Sequence, residues 1–584
     1  MKNANDILLG LDEQQRQVAE ALLGPVCILA GAGTGKTRAM MHRIAYGVQT
    51  NTYAAENVLA ITFTAKAAGE MRMRLRALGV DGVNAKTFHA EAFSELRQFW
   101  KRISKAPTPS IVGEKMEIVR EVLKVMGTDP TTQLTEDIAS EIEWTKVSLI
   151  APEDYPKIAK TRELARKFDA ERFVNVINAY EKVKAKSNLI DFEDCLLIMA
   201  YLIGENKDVA REVRAKYKYF VVDEYQDVSP LQQFMLNQWL GGRKDICVVG
   251  DPSQTIYSFT GATPHFLINF KDEYDDTKVI KLYKDYRSTP QIVMLANRTL
   301  AKRDLVEFDQ LHLISNKERG NRIVLKHYET DVEEAEKIVE DIEKLLASKT
   351  NGIDKKDIAI LYRQNSQRTM FKRELDAHGI ETQIFPSTAY FSEDTVKKMI
   401  NRVKYASIAE PEDSDFTAVI EKLVQDEKID NENAEKPDKR ANILLDAFLT
   451  IKDDFLKQYS ETDTATSVKV PVKGLETNKK LRDFLAYIKE RTQNQAEPTL
   501  DAVTLATLHA SKGLEWKMVY LVGVYDGMLP IRRAQTEANI EEERRLFYVG
   551  ITRAAERLQI SYANSHLGNA RDRRNRSRFL DGIY

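Results

Sequence analysis

The chain has 584 residues, a length that predicts about four domains at roughly 100–200 residues each. Hydrophobic residues make up 43% and charged residues 30%, a balance that excludes an intrinsically disordered chain. The 86 basic and 88 acidic side chains give a formal net charge of −2, which excludes a protein that coats DNA through general basicity. Any nucleic-acid site must therefore be a local groove, and composition alone leaves open a protein with no nucleic-acid partner.

The sequence indicates a reducing compartment and no membrane anchor. Cys27, Cys195 and Cys247 are far apart in sequence, so neither a zinc knuckle nor a disulfide framework is expected. Free, buried cysteines are typical of the cytoplasm. Residues 1–15 lack the basic stretch and apolar core of a signal peptide. No apolar run reaches about 18 residues, so we expect no membrane span.

Short apolar runs, each followed by a turn and a helical pattern, recur in two parts of the chain. The first part contains four such runs and the second contains two: 25–37, 57–71, 219–227 and 245–254, then 357–363 and 517–524. Continuous apolar strands that alternate with helices indicate a parallel sheet covered on both faces. The sequence therefore predicts an α/β protein with two parallel-sheet domains.

Two largely helical stretches without strand signals interrupt these α/β regions, as inserted domains would. The predicted domains are a first α/β domain, its helical insertion, a second α/β domain, and a reduced helical insertion in it. Their bounds are 1–102 with 190–280, then 103–189, then 281–391 with 501–584, and finally 392–500.

Residues 30–37, AGAGTGKT, follow the strand-like run Val26–Leu29 and precede a helical pattern. A phosphate chain needs backbone N–H groups pointed at it, and glycines permit the loop to curl in this way. Ala30 stands where the strict motif has glycine. The strand–loop–helix context nevertheless favours a nucleotide-binding loop over a chance glycine turn. The candidate loop residues are Ala30, Gly31, Ala32, Gly33, Thr34, Gly35, Lys36, Thr37 and Arg38.

The side chains of this loop and of a second motif fit ATP with Mg²⁺. Lys36 would supply a cation to the β- and γ-phosphates, and the Thr37 hydroxyl would reach the metal ion. The run YFVVDEYQD (219–227) delivers Asp223 and Glu224 to the carboxyl end of a strand, where ligands bind in such sheets. Asp223 would hold Mg²⁺ through water, and Glu224 would act as general base. A lone acidic pair there is usually a solvated loop; the pairing with 30–37 favours catalysis.

The order of these and further motifs resembles the superfamily 1 helicases of the UvrD/Rep/PcrA group along nearly the whole chain. The motifs are LDEQQ (11–15), AGAGTGKT (30–37), ITFTAKAAGEMRMRL (61–75), TFHA (87–90), VVDEYQD (221–227), VVGDPSQTIYSFTGA (248–262), YRS (286–288), VTLATLHASKGLEW (503–516) and EEERRLFYVGITRA (541–554). The form QTIYSF and the short second insertion look most like the smaller second UvrD paralogue, without the C-terminal extra domain such paralogues often carry. The resemblance implies two RecA-like motor domains.

The same resemblance implies roles at the nucleotide. Gln15 would read the adenine edge, for which its amide offers a donor and an acceptor. Tyr286 would stack on the base, and Glu515 would touch the ribose.

Three further residues would act on the γ-phosphate. Gln254 would sense it and link it to the DNA groove. Arg287 and Arg553 would be arginine fingers from the second α/β domain, because a guanidinium keeps its charge and forks onto phosphate oxygens. Out of context, the alternative for each arginine is a surface ion pair. Hydrolysis would release the grip on the γ-phosphate, so that alternating grip on DNA gives directional steps.

Single-stranded DNA binding without sequence preference uses aromatic platforms. Phe63, Tyr257 and Phe259 match positions in the family that stack on bases; a place in the hydrophobic core is the alternative for each. His89 and His509 match DNA-contact positions, although a lone histidine is usually structural. Thr260 stands where larger members often carry arginine, which puts one phosphate or base contact in doubt.

The resemblance therefore implies an ATP-dependent DNA helicase and single-stranded DNA translocase, with 3′ to 5′ movement. It would act in repair or replication at single-strand/double-strand junctions, as a cytoplasmic, nucleoid-associated monomer or weak dimer. One alternative is a single-stranded-DNA-dependent ATPase that remodels nucleoprotein without processive unwinding. Another is a P-loop enzyme without DNA, such as a kinase, which leaves the Tyr257 and His509 motifs unexplained.

Overall fold

The structure is a computed structural model of the chain. It describes residues 4–162, 164, 168–302, 311–348, 352–386, 390–410, 414–434, 436–438, 440–463, 477–493, 497–566 and 573–582. Two compact units divide the chain. The N-terminal unit comprises Lys2–Gly31 and Gly35–Leu282, and the C-terminal unit comprises Ala32–Thr34 and Tyr283–Tyr584.

The N-terminal unit is built on a parallel sheet. In the described ranges its strands are β1 (Val26–Ala30), β2 (Val58–Thr62), β3 (Asn84–Thr87), β4 (Ser110–Ile111), β5 (Leu189–Ile190), β6 (Tyr219–Val222), β7 (Ile246–Gly250) and β8 (Lys278–Leu282). Six of them form the main sheet in the order β3-β2-β6-β7-β1-β8, and every described neighbouring pair is parallel. The carboxyl ends of β1, β6 and β7, each followed by a predicted motif, therefore share one edge.

Helices cover both faces of this sheet because its central strands are apolar throughout; β2 and β7 are buried at every position. The helices described in this unit are α1 (Ala4–Leu8), α2 (Glu13–Glu20), α3 (Lys36–Gln49), α4 (Ala65–Ala77), α5 (Phe88–Ile103), α6 (Lys115–Val125), α7 (Thr132–Val147), α8 (Tyr155–Ile158), α9 (Ala170–Lys186), α10 (Phe192–Glu205), α11 (Lys207–Lys216), α12 (Pro230–Leu240), α13 (His265–Ile268) and α14 (Phe270–Glu273). Separate cores lie under α3 and α4 and under α5, α10 and α12.

Helices α6 to α9 enclose a small core of their own, which includes Leu123, Ile142, Phe173 and Tyr180. The paired strands β4 and β5 lie within or next to the predicted helical insertion, and neither carries a strand signal in the sequence. Two residues are too few to show a period of two.

Buried charge joins α7 and α9 to the start of α10. Lys146 Nζ lies 2.7 Å from Asp191 and 2.8 Å from Asp194, and Lys184 Nζ lies 2.9 Å from Asp191. Burial alone would raise the pKa of Asp191, but the two ammonium groups hold it well below its ordinary value. Among the described residues, Glu181, Asp191 and Asp194 form a group of carboxylates close enough to hold a metal ion. The two lysines already neutralise Asp191 and Asp194.

The C-terminal unit contains a second parallel sheet. The strands described in this unit are β9 (Lys284–Asp285), β10 (Ile314–Ser315), β11 (Val324–Thr330), β12 (Ile358–Tyr362), β13 (Thr382–Phe385), β14 (Val503–Thr507), β15 (Trp516–Leu521) and β16 (Ala554–Ser565). Strands β9 and β10 pair with each other, apart from the main sheet. Within the described ranges the main sheet has the order β11-β16-β15-β12-β14-β13. The α/β class with two parallel sheets is therefore confirmed.

The helices described in the C-terminal unit are α15 (Pro290–Ala301), α16 (Asp331–Ala347), α17 (Asn365–Ala377), α18 (Asp394–Ala409), α19 (Phe416–Glu432), α20 (Ala441–Asp463), α21 (Thr477–Gln493) and α22 (Glu537–Ile551). Helices α18 to α21 pack around a separate aromatic core that includes Phe416, Phe448 and Phe484. Most of this core lies inside the predicted second insertion, and Tyr390, Phe391 and Ala502 join it from just outside those bounds. The domain bounds given above stay predictions; β8 runs to Leu282, two residues past the predicted boundary at 280.

All three cysteines are buried and free, as expected. Across the described residues, every helix is too short or too polar to cross a lipid bilayer.

Candidate functional site

The glycine-rich loop leaves the carboxyl end of β1, and α3 begins at Lys36. Gly35, which precedes it, has φ 77°, a left-handed conformation that glycine adopts without strain. A Cβ atom at Gly35 would also lie 2.7 Å from Gln15 Nε2, so the close approach of this amide adds to the preference for glycine. The structure thus places the predicted adenine reader, Gln15, which is 3% exposed, against the start of α3.

Ala30, the departure from the strict motif, is the buried last residue of β1 and pairs with Leu282. Its backbone has no positive φ, so an alanine is accommodated there. The next N–H, of Gly31, donates to the Leu282 carbonyl at 3.2 Å. Within the C-terminal unit, the Tyr286 N–H donates to the Gly33 carbonyl at 2.9 Å.

Asp223 and Glu224 directly follow β6. Glu224 has φ 51° and ψ 37°, a conformation that costs a non-glycine residue of order 1 kcal/mol or more and is typical of functional sites. The Asp223 Oδ1 atom accepts a hydrogen bond from the Glu224 N–H at 3.0 Å. Lys36 Nζ lies 3.5 Å from Glu224 Oε1, with the two side chains 13% and 26% exposed. The structure therefore brings the predicted phosphate-binding cation, Lys36, and the candidate base, Glu224, together.

A chain of hydrogen bonds continues from Glu224 to Gln254. The Gln226 Nε2 donates to Glu224 Oε2 at 2.6 Å, and the Gln226 Oε1 accepts from the Asp251 N–H at 3.0 Å. Asp251 Oδ2 in turn accepts from Gln254 Nε2 at 2.7 Å. Burial raises the pKa of Asp251, and the charge of Lys36 opposes this rise.

Sequence reasoning did not single out Gln226 or Asp251. Both are buried, at 0% and 2% exposure. A Cβ atom at Gly250 would lie 2.5 Å from Gln226 Oε1, so β7 needs glycine at its end to admit this amide. The signal in the sequence was a polar residue soon after a strand: Gln226 in DEYQD, after β6, and Asp251 in GDPSQ, directly after β7.

The two predicted fingers share neighbours in the C-terminal unit. Arg287 forms an ion pair with Glu515 and donates from Nη1 to the Thr552 carbonyl at 3.1 Å. Arg553, 1% exposed, donates to the carbonyls of Val549 at 2.9 Å and Leu514 at 3.1 Å. In this structure Arg287 therefore forms the ion pair that was the alternative to a finger role. Its partner, Glu515, is the residue that was predicted to touch the ribose. The finger and ribose roles stay predictions.

Two of the candidate DNA-binding aromatic residues, Tyr257 and Phe259, follow Gln254 in the chain. Tyr257 and Phe259 have ring centroids 6.2 Å apart, and Phe259 is 61% exposed. Burial, then the nearby carboxylates of Asp227 and Glu224, raise the pKa of Tyr257 to about 12. Phe63 is half-buried and packs on the core through an edge contact to Phe88, which is the core alternative in part; its stacking on DNA stays a prediction.

Next to His89 lies Phe192, an aromatic residue that the sequence analysis missed. Phe192, at the start of α10, is 54% exposed, and its ring stands edge-on to the His89 ring at 6.0 Å. Burial lowers the pKa of His89 to about 4, so the imidazole is neutral at physiological pH. An exposed phenylalanine after an aspartate N-cap, in DFED, was the available signal.

His509 lines an open, polar cavity of about 450 Å³ in the C-terminal unit. Burial, then the charges of Arg363, Arg533 and Lys512, lower the pKa of His509 to about 3. Arg363 is held by both oxygens of Glu543, the nearest contact being 2.7 Å. Arginines around a neutral imidazole form a site suited to phosphate.

A glycine-rich loop between a strand and a helix, with an acidic pair at the same sheet edge, is the arrangement of P-loop nucleotide hydrolases. Models of two domain families match the chain: the UvrD/REP helicase N-terminal domain over residues 11–275 and the UvrD-like helicase C-terminal domain over 280–414 and 413–565.

Similar curated proteins include the ATP-dependent DNA helicase UvrD2 of Mycobacterium tuberculosis, which is 40% identical over 100% of this chain and 83% of its own length. PcrA of Bacillus subtilis is 29% identical over 99% of this chain and 86% of its own length. Rep of Escherichia coli is 27% identical over 94% and 90%. The chain belongs to the UvrD-like helicase family, which confirms the resemblance, and its similarity to the second UvrD paralogue is confirmed too.

Proposed function

We propose that this helicase hydrolyses ATP with Mg²⁺ and uses the energy to move along single-stranded DNA from 3′ to 5′, in DNA repair or replication. The observation that carries the proposal is the hydrogen-bonded chain from Glu224 through Gln226 and Asp251 to Gln254. It joins the candidate base of hydrolysis to the loop that carries Tyr257. Loss or gain of the γ-phosphate would therefore change the position of Tyr257, a proposed stacking surface for DNA.

In this proposal Lys36 leaves Glu224 for the β- and γ-phosphates when ATP binds. The carboxylate is then free to polarise the attacking water, and Gln254 senses the γ-phosphate. Gln15 reads the adenine edge, and Tyr286 stacks on the base. Arg287 and Arg553 neutralise the charge of the transferring phosphoryl group.

Mg²⁺ prefers oxygen ligands, typically one or two carboxylates together with substrate phosphates. The Asp223 carboxylate and the Thr37 hydroxyl fit this chemistry, since both follow strands of one sheet at its carboxyl edge. The ion would neutralise charge on the phosphates and orient them.

Single-stranded DNA would contact Phe63, His89, Tyr257 and Phe259 in the N-terminal unit and His509 in the C-terminal unit, with Phe192 as an addition suggested by its exposure beside His89. Junctions of single and double strands are the proposed substrates. We further propose a cytoplasmic, nucleoid-associated protein that acts as a monomer or weak dimer.

The test compares the rate of ATP hydrolysis with and without single-stranded DNA, followed by translocation on strands labelled at either end and by strand displacement. Strong stimulation with movement toward the 5′ end supports the proposal. Translocation without displacement would instead favour a nucleoprotein remodeller. A rate indifferent to DNA would contradict both and favour a P-loop enzyme of another kind.

Replacement of aromatic residues at the proposed DNA surface should weaken DNA binding selectively. Phe192→Ala and Tyr257→Ala are each expected to lower the affinity for single-stranded DNA by about 1–3 kcal/mol, because each removes a stacking surface. Hydrolysis of ATP without DNA should stay near normal. Fluorescence anisotropy with a labelled oligonucleotide measures the affinity.

Tyr201→Ala is the matched control, since Tyr201 is 57% exposed on the same helix as Phe192 and contacts Phe234 instead of His89. Equal losses of affinity in Tyr201→Ala and Phe192→Ala would show that Phe192 has no specific role. A lower melting temperature for Tyr257→Ala, with loss of DNA-free hydrolysis, would make that ring part of the core.

A further inference from the structure

The helix that carries Gln15 is fixed at its C-terminus by the phosphate-binding helix. Helix α2 ends at Glu20, and the chain then turns toward β1, which leaves carbonyl groups without intrahelical partners. Arg43, in the middle of α3, donates from Nε to the Ala21 carbonyl at 2.8 Å and from Nη2 to the Leu22 carbonyl at 2.9 Å. One guanidinium thus holds two successive carbonyls at the exit of α2.

The position of Arg43 is itself fixed. Its side chain is 2% exposed, and its guanidinium lies over the Tyr53 ring at 5.7 Å from the centroid. The Tyr53 hydroxyl also donates to the Leu22 carbonyl. Tyr53 closes on α3 at Gly47, where a Cβ atom would lie 2.2 Å from the ring, so this helical glycine is required by close packing.

Other side chains of α3 hold the segment that precedes α2. Arg38 Nη2 donates to the Gly10 carbonyl at 2.9 Å, and His42 Nδ1 forms a hydrogen bond of 2.5 Å with the Ile7 carbonyl. Helix α3 begins at Lys36, so one rigid helix bears the phosphate-binding lysine and grips the chain on both sides of Gln15. These bonds place Gln15 relative to the start of α3, where Lys36 lies.

We propose that Arg43 is a positioning residue for recognition of the nucleobase: it sets the place of Gln15 relative to the phosphate-binding helix and thereby the preference for adenine. The inference rests on the proposed function of Gln15. Adenine and guanine present different donor and acceptor patterns, so discrimination depends on where the amide stands. Binding of the phosphates does not involve Arg43.

The test uses Arg43→Met in the full chain, with ATP and GTP as substrates and saturating single-stranded DNA. Methionine keeps the apolar stem and removes a buried charge whose Nη1 has no hydrogen-bond partner among the described residues, so the fold should persist. The ratio of kcat/KM for ATP to that for GTP is expected to fall roughly tenfold, through KM for ATP, which corresponds to about one or two lost hydrogen bonds. Inhibition by inorganic triphosphate should not change.

Two variants complete the experiment. Arg43→Lys should restore part of the preference, because an ammonium group reaches one carbonyl where the fork reaches two. Arg243→Met is the matched control: Arg243 donates to the carbonyls of Leu240 at 2.8 Å and Trp239 at 2.7 Å, before the amino end of β7, and should not alter the ratio.

An unchanged ratio in a folded Arg43→Met protein would overturn the inference, as would equal weakening of ATP, GTP and triphosphate. Should Arg43→Met fail to fold, Tyr53→Phe removes the second donor to Leu22 and must lower the ratio in the same direction; no change there overturns the inference. A rate of hydrolysis that does not depend on DNA would contradict the proposed function. The ratio of kcat/KM for ATP to that for GTP would still test the role of Arg43.

Discussion

Glu224→Gln is expected to bind ATP and single-stranded DNA normally and to hydrolyse ATP roughly 10²–10⁴-fold more slowly, the usual contribution of general acid–base catalysis. The amide keeps the shape of the side chain and its hydrogen bond with Gln226, but it cannot take a proton from water. The contact with Lys36 at 3.5 Å loses its ionic character, which should leave that lysine free for phosphate. Single-turnover hydrolysis and binding of a fluorescent ATP analogue measure the two effects separately.

Glu95→Gln is the matched control. Glu95 is buried in the same unit, and its carboxyl accepts a hydrogen bond from Trp239 Nε1 at 2.8 Å. Burial raises the pKa of Glu95 to about 8, so at neutral pH this group already carries its proton and an amide should replace it without effect on hydrolysis. Loss of nucleotide binding in Glu224→Gln would make Glu224 structural and remove the general-base role.

Arg553→Ala is expected to reduce DNA-stimulated hydrolysis by a factor on the order of 10³ or more, as fingers do in other phosphoryl-transfer enzymes. Binding of ATP should weaken only modestly, since the glycine-rich loop and Lys36 are intact. The change of DNA affinity that ATP causes should also disappear, because a contact made only with bound γ-phosphate is lost. Titrations of DNA with and without a non-hydrolysable ATP analogue measure this shift.

The buried contacts of Arg553 make a control for stability necessary, because its removal takes one donor from each of the carbonyls of Val549 and Leu514. Arg544→Ala serves this purpose: Arg544 is buried on α22, the helix that ends just before Arg553, and it binds Glu541 at 3.1 Å. Equal loss of hydrolysis in both variants, or a full nucleotide-dependent shift in Arg553→Ala, would show that Arg553 is structural. Arg553→Lys should rescue poorly, since a point charge does not reproduce the planar fork.

The resemblance and the α/β class were predictable because the informative residues are local in sequence. Motifs such as 30–37 and 221–227 join the end of a strand to the loop that follows it, and the short continuous apolar run of the strand is readable from a few residues. The family comparisons confirm this part. The roles of the individual site residues stay predictions, and the variants above test the most consequential of them.

The sequence by itself therefore determined that Lys36, Glu224 and Gln254 lie along one sheet edge, because parallel strands end at the same side. Only the tertiary structure decided how they are joined. Side-chain directions and contacts between distant segments decide four features. These are the hydrogen bonds of the Gln226 amide, the left-handed backbone of Glu224, the contact of His89 with Phe192, and the hydrogen bonds from Arg43 to the carbonyls that follow α2. Those are set by packing of the whole unit, and no local pattern of residue types encodes them.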